Sequence, residues 1–222
     1  MSSRMKTILC FGDSNTWGYD PQASANSPFP RRYPADVRWT GVLAETLGDD
    51  WTIIAEGQNG RTSVHEDHTA PASRNGKAYL PSCLESHQPI DAVVIMLGTN
   101  ELKTMFRLPA QDIAAGVGIL TQIILKSTAG PNAEAPKVLI VCPAPVADLS
   151  HLPDLDVRFE NARAKSLEFP KHYADVAEKF GVGFLDIQSQ LEPSPLDGLH
   201  LDPAAHLLLG TTVAESLRTL LD

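Results

Sequence analysis

Ser14, Asp197 and His200 are the residue types that turn a hydroxyl into a nucleophile. A serine hydroxyl is weak until a base takes its proton, and an imidazole serves best when a carboxylate holds its tautomer and stabilises the imidazolium. Asp197-Gly198-Leu199-His200 puts a carboxylate and an imidazole in one short turn. Asp202-Pro203 follows at once and reads as the N-cap and first-position proline of a helix. Ser14 comes after an apolar run and is expected to open a helix, where unpaired backbone N–H groups favour developing negative charge. A serine in that place also serves as an N-cap. Acyl transfer further needs donors aimed at a tetrahedral oxyanion. Gly60 can bring a backbone N–H close because it lacks a Cβ, and Asn100 can offer its side-chain amide, although both are also ordinary turn residues.

Five short apolar runs rich in β-branched residues have to position these groups: residues 7–11, 51–55, 91–97, 137–142 and 183–186. They read as buried parallel strands. Helical spacing recurs over residues 39–47, 78–87, 109–127, 161–180 and 203–221. Strand followed by helix, repeated, predicts an α/β fold: a three-layer α/β/α sandwich with a five-stranded parallel sheet. Residues 21–36, with four prolines, and 60–76, polar and ending in Ser-Arg-Asn-Gly, read as long loops. With no linker or internal repeat, residues 1–222 are expected to form a single domain. Open α/β sheets bind ligands beyond the carboxyl ends of their strands, where Ser14, Gly60, Asn100 and the Asp197 to His200 turn all fall.

Composition narrows the partners. A formal net charge of −9 over 222 residues, without a basic run, removes the footprint that nucleic acid or an anionic membrane requires. At 43% hydrophobic and 20% charged residues the chain is globular, and no window is apolar for long enough to span a bilayer. Cys10, Cys83 and Cys142 form no CxxC pair and read as buried thiols of a reducing compartment. Met1 to Lys6 runs directly into the first strand, which leaves no room for an apolar signal segment. A cytoplasmic protein is expected.

The ordered blocks Gly12-Asp13-Ser14, Asn59-Gly60-Arg61-Thr62-Ser63, Gly98-Thr99-Asn100 and Asp197 to His200 resemble those of the SGNH hydrolases, the GDSL esterase and lipase family. Asp13-Ser14-Asn15-Thr16-Trp17-Gly18 and Leu97-Gly98-Thr99-Asn100 look most like the bacterial arylesterase and acyltransferase group. The resemblance implies a flavodoxin-like sandwich and a serine esterase for short acyl esters, with possible transfer to alcohols and frequent assembly into homo-oligomers. It implies Ser14 as nucleophile, His200 as base, Asp197 as its orienting carboxylate, and the N–H groups of Ser14 and Gly60 with the Asn100 amide as oxyanion donors. No metal or organic cofactor is implied. Asn15 stands where the family commonly has leucine, and Glu101 where it has aspartate; altered packing or specificity is expected there, with the chemistry retained.

Asp13, Trp17 and Tyr19 are the candidate pocket residues, the two rings being expected to narrow the acyl site unless they are core material. His65-Glu66-Asp67-His68 suggests a metal only superficially, since it lacks a complete ligand set. His206 and Asp202 compete for the base and carboxylate roles, but spacing favours His200 and Asp197. A carbohydrate O-deacetylase would use the same groups. A flavin or nucleotide carrier, with the Ser14 to Gly18 loop cradling a phosphate, would leave Asp197 and His200 unexplained.

Overall fold

A computed structural model describes residues 4–222; Met1 to Ser3, part of the segment expected to lead directly into the first strand, lie outside the described residues. Strands β1 (Lys6–Gly12), β2 (Trp51–Gly57), β3 (Ala92–Met96), β4 (Lys137–Val141) and β5 (Gly183–Leu185) form one sheet in the order β2-β1-β3-β4-β5. Every neighbouring pair is parallel. Around it lie α1 (Ser14–Trp17), α2 (Pro21–Ala25), α3 (Trp39–Leu47), α4 (Gly76–His87), α5 (Ala110–Leu125), α6 (Pro153–Arg158), α7 (Ala162–Ser166), α8 (Phe169–Phe180) and α9 (Pro203–Leu221).

Alternation along the strands builds two cores. Leu9, Phe11, Val93 and Ile95 face Leu80 and Leu84 of α4, Ile113 and Val117 of α5, and Tyr173 of α8. Ile8, Cys10, Val94 and Met96 face Trp39 and Leu43 of α3 and Leu209 and Val213 of α9. Burial on both faces explains why β1, β3 and β4 read as continuous apolar runs, whereas the edge strands β2 and β5, also expected to be buried, are only part-buried because each has a neighbour on one side alone. The strand order changes direction at β1, so the crevice between the carboxyl ends of β1 and β3 is the topological switch point.

Two expected elements differ. The helix anticipated over residues 161–180 is two helices, α7 and α8, broken at Leu167 and Glu168. Pro170 has no N–H to donate to the preceding turn and its ring clashes there, so it sits in the first turn of a new helix. Within the anticipated 21–36 loop, α2 forms because the Asp20 carboxylate accepts from Ala23 N at 2.9 Å, with Pro21 at the first position.

Candidate active site

Ser14 is the first residue of a one-turn helix that sits directly on the ends of β1 and β2. A Cβ on Gly12 would lie 2.1 Å from Thr16 Oγ1, so only glycine permits this approach. The N-cap is Asp13, whose carboxylate accepts from Asn15 N at 3.0 Å; Ser14 therefore does not cap the helix, and its hydroxyl is left for another partner. That partner is His200, whose Nε2 lies 2.9 Å from Ser14 Oγ. Its Nδ1 lies 2.6 Å from Asp197 Oδ2. The other Asp197 oxygen accepts from the backbone N–H groups of Leu199 and His200, both at 3.0 Å. Burial raises the Asp197 pKa, but the bonds and charge of His200 and these amides outweigh it and leave the carboxyl below its ordinary value.

The residue in the family's leucine position locks this arrangement. Asn15 Nδ2 donates to Leu199 O at 3.2 Å, and Asn15 Oδ1 accepts from Leu201 N at 3.0 Å. One buried side chain thereby holds the backbone on both sides of His200 against the helix that carries Ser14. The expected change in local packing at Asn15 is a polar clamp.

Gly60 has φ +79°, the left-handed conformation that glycine adopts without strain, and it lines the cleft with Ser14, Asn100 and His200. Asn100 lies in a 3₁₀ turn, Thr99–Leu102, at the end of β3. Its Nδ2 donates to Arg61 O at 3.1 Å, which fixes the amide beside the Gly60 loop. Glu101 reinforces the same junction: fully buried, it accepts from Ser63 N and, at 2.5 Å, from Ser63 Oγ. Burial pushes the Glu101 carboxyl up to about 7 despite these donors. The Glu101 substitution is thus also a packing and hydrogen-bonding feature, tying the loop of Gly60 to the turn of Asn100.

The cleft is small, about 230 Å³. Larger hollows lie elsewhere, such as the groove of about 580 Å³ lined by residues of α5 and α8, but none of its lining side chains belongs to the Ser14 constellation. Tyr19 stacks on His200 with ring centroids 4.0 Å apart and 24° between planes, and it lines the cleft with Leu155, Phe159 and Leu199. Of the three anticipated pocket residues, Tyr19 lines the cleft, while Trp17 and Asp13 are not among its lining residues. Trp17 turns toward Arg32, whose guanidinium carbon lies 5.2 Å from the ring centroid. Asp13 is buried beneath the helix, and burial raises its carboxyl to about 6. Pro30, Lys103 and Arg158 enter the cleft wall without having been anticipated. Lys103 sits in a buried ion pair with Asp67 at 2.9 Å.

His206 is fully buried; its Nδ1 accepts from Trp39 N at 3.2 Å, and Asp202 caps α9 by accepting from Ala205 N. Neither points its bonding atoms at Ser14. Of the His65 to His68 segment, Asp67 is held by Lys103 and Thr69, and His65 packs near Phe106. Thr16, one of the hydroxyls of the supposed phosphate cradle, is fully buried against Gly12.

A parallel α/β/α sandwich whose strand ends bring serine, histidine and aspartate into one hydrogen-bonded line has the architecture of an SGNH-type ester hydrolase. The chain belongs to the GDSL-like lipase/acylhydrolase family, whose model matches residues 10–208. It is similar to an inhibitor-bound aryl esterase of M. smegmatis, with 42% identity, TM-score 0.90, and 97% of this chain and 99% of that one covered. A carbohydrate acetylesterase from Sinorhizobium meliloti is 38% identical, with TM-score 0.90 over 97% of this chain and 99% of that one. A lipase/acylhydrolase from Enterococcus faecalis, 19% identical over 97% of this chain and 96% of that one, shares the fold at TM-score 0.67. Among curated proteins no match was found. Family and fold make the protein a carboxylic ester hydrolase and displace the flavin or nucleotide carrier reading. No helix among the described residues is long and apolar enough to cross a membrane.

Proposed function

We propose that the protein is a serine esterase for short-chain acyl esters, aryl and alkyl acetates among them, acting through an acyl-enzyme on Ser14. The observation that carries this reading is His200 bridging Ser14 Oγ at 2.9 Å and Asp197 Oδ2 at 2.6 Å at the edge of the cleft. His200 Nε2 takes the hydroxyl proton as Ser14 Oγ attacks the ester carbonyl, and Asp197 holds the other ring nitrogen and stabilises the imidazolium. The carbonyl oxygen becomes an oxyanion within reach of the N–H groups of Ser14 and Gly60 and the Asn100 amide. His200 then returns the proton to the leaving alcohol. Water, or a second alcohol, attacks the acyl-enzyme by the same route in reverse. Every step uses side chains and backbone amides alone.

A chromogenic acetyl ester tests the reading. Wild type should turn it over and be labelled by an organophosphate on Ser14, while Ser14→Ala should do neither and keep its fold. Full activity in the alanine variant, or label on another serine, rejects it.

Carbohydrate O-deacetylation is the second reading, favoured by the similarity to the S. meliloti carbohydrate acetylesterase. Comparing kcat/KM for an acetylated sugar and an aryl acetate decides between them. Three unpaired, buried cysteines support a reducing, cytoplasmic setting. Self-association, which the resemblance to the arylesterase and acyltransferase group implies, is measured by light scattering.

A further inference from the structure

Away from the Ser14 cleft, side chains of α4 reach Glu56 at the end of the edge strand β2 and form a second set of chemically capable groups. Cys83 and His87, four residues apart, lie on one face of α4, and Glu56 reaches them from the end of β2. One ligand-type atom from each, the Cys83 Sγ, a His87 ring nitrogen and a Glu56 carboxylate oxygen, all lie within 4.8 Å of one another. His87 Nε2 is already 2.8 Å from Glu56 Oε1. We propose that Glu56, Cys83 and His87 form a binding site for a zinc-class divalent transition ion that braces the edge strand against α4.

Ligand chemistry and geometry both lead to this ion class. A thiolate, an imidazole and a carboxylate are the donors zinc takes, at about 2.0–2.3 Å, which sets tetrahedral ligand separations of about 3.3–3.8 Å. The three atoms lie within 4.8 Å of one another, so the ion would draw the sulfur inward by up to about 1 Å to reach that shape. A hard ion such as Mg²⁺ or Ca²⁺ would want oxygens in place of the sulfur and nitrogen. The carboxylate is supported as a ligand's should be: Tyr79, one turn before Cys83 on the same helix, donates its hydroxyl to Glu56 Oε2 at 3.1 Å. The His87 and Glu56 side chains are 29% and 21% exposed, so an ion can approach from solvent on their side, while Cys83 is buried behind them. The neighbouring cation, Arg61, is turned to the carbonyls of Gly12 and Glu56 and lies over the Phe11 ring at 4.3 Å. None of the three ligands lines the Ser14 cleft, so the site is structural with respect to the esterase.

The test is a Co²⁺ titration of chelator-treated protein kept reduced with a phosphine. Wild type should bind one equivalent, with a thiolate-to-cobalt charge-transfer band in the near ultraviolet and the intense visible bands of a tetrahedral ion. Zn²⁺ should abolish the bands and raise Tm, whereas Mg²⁺ should do neither. Cys83→Ala should lose the charge-transfer band, and His87→Ala should weaken Zn²⁺ binding by more than the roughly 10- to 100-fold that loss of a supporting hydrogen bond costs. Both variants should keep wild-type kcat on the acetyl ester. His87 lies at the end of α4 and is half-buried, so His87→Ala tests the site even if Cys83→Ala fails to fold. The site is overturned if wild type gives no thiolate band, if the band survives in Cys83→Ala, or if His87→Ala binds Zn²⁺ as tightly as wild type.

Discussion

Asn15 and His200 are joined through the backbone: the Asn15 amide bonds Leu199 O at 3.2 Å and Leu201 N at 3.0 Å, one residue to either side of the imidazole. Asn15→Leu, which restores the family's common residue, would leave both backbone groups buried without partners. Each such group costs about 1–3 kcal/mol, and the turn carrying His200 would lose its anchor. Denaturant unfolding should show destabilisation of about 2–6 kcal/mol. The kcat for the acetyl ester should fall together with stability. A variant as stable and as active as wild type would show that packing alone holds the turn.

His200 and His206 should separate cleanly. Asp197→Asn is expected to lower kcat by on the order of 10⁴, and His200→Ala to be at least as damaging, if the three residues act as a serine-histidine-aspartate unit. His206→Gln should leave kcat within several-fold of wild type. Single-turnover acylation rates of the three variants make the comparison, and a severe loss at His206 with an active His200→Ala would move the base to α9.

His206 should instead be visible in acid stability. Burial lowers its pKa from 6.5 to about 4, so the folded protein stays neutral there while the unfolded chain takes up a proton. Stability is therefore unaffected above pH 6.5 and is lost as pH falls from 6.5 to 4, by on the order of 3 kcal/mol. Comparing unfolding free energies of wild type and His206→Gln across that window should show wild type losing ground as pH falls. Parallel profiles would mean that His206 does not titrate differently in the two states.

Glu101 carries the opposite sign. Its carboxyl, raised by burial from 4.5 to about 7, keeps a proton in the folded state that the unfolded chain has released. Raising pH from 4.5 to 7 therefore costs wild type stability, on the order of 3 kcal/mol, relative to Glu101→Gln. The glutamine oxygen can still accept from Ser63, so the variant should fold and should gain Tm relative to wild type across this range. Asn100→Ala, one residue away, should lower kcat by roughly 10²–10³ with little change in KM. A pure KM effect would make Asn100 a substrate-binding residue.

Acyl-chain preference should follow Tyr19 and not Trp17. Only Tyr19 lines the cleft of about 230 Å³, where it stacks on His200. Acetyl to butyryl esters should be preferred over octanoyl, each methylene beyond the limit costing about 1–3 kcal/mol. Measured as kcat/KM along a chain-length series, Tyr19→Ala should relax the limit and Trp17→Ala should leave the profile in place. A shifted profile in Trp17→Ala would put the acyl site on the Arg32 side of α1.

The sequence by itself determined what depends on short spacing. The central strands β1, β3 and β4 were legible because burial on both faces makes each a continuous apolar run, and the Asp197 to His200 pair because its bonds close within one turn. The Asp-Pro signature is legible at the start of α9, whereas at Asp20-Pro21 the prolines that follow mask the same signature, because they break any helical pattern around it. Tertiary structure decided the rest. Tyr19 reaches the cleft and Trp17 does not because α1 ends after one turn at Gly18, φ +89°, a left-handed reversal that separates the two rings. The Asn15 clamp, the Glu101 to Ser63 bond and the Glu56, Cys83 and His87 cluster each join different elements of the fold. No periodicity encodes such pairings, because they depend on how helices and strand ends pack against one another and not on the local order of residues.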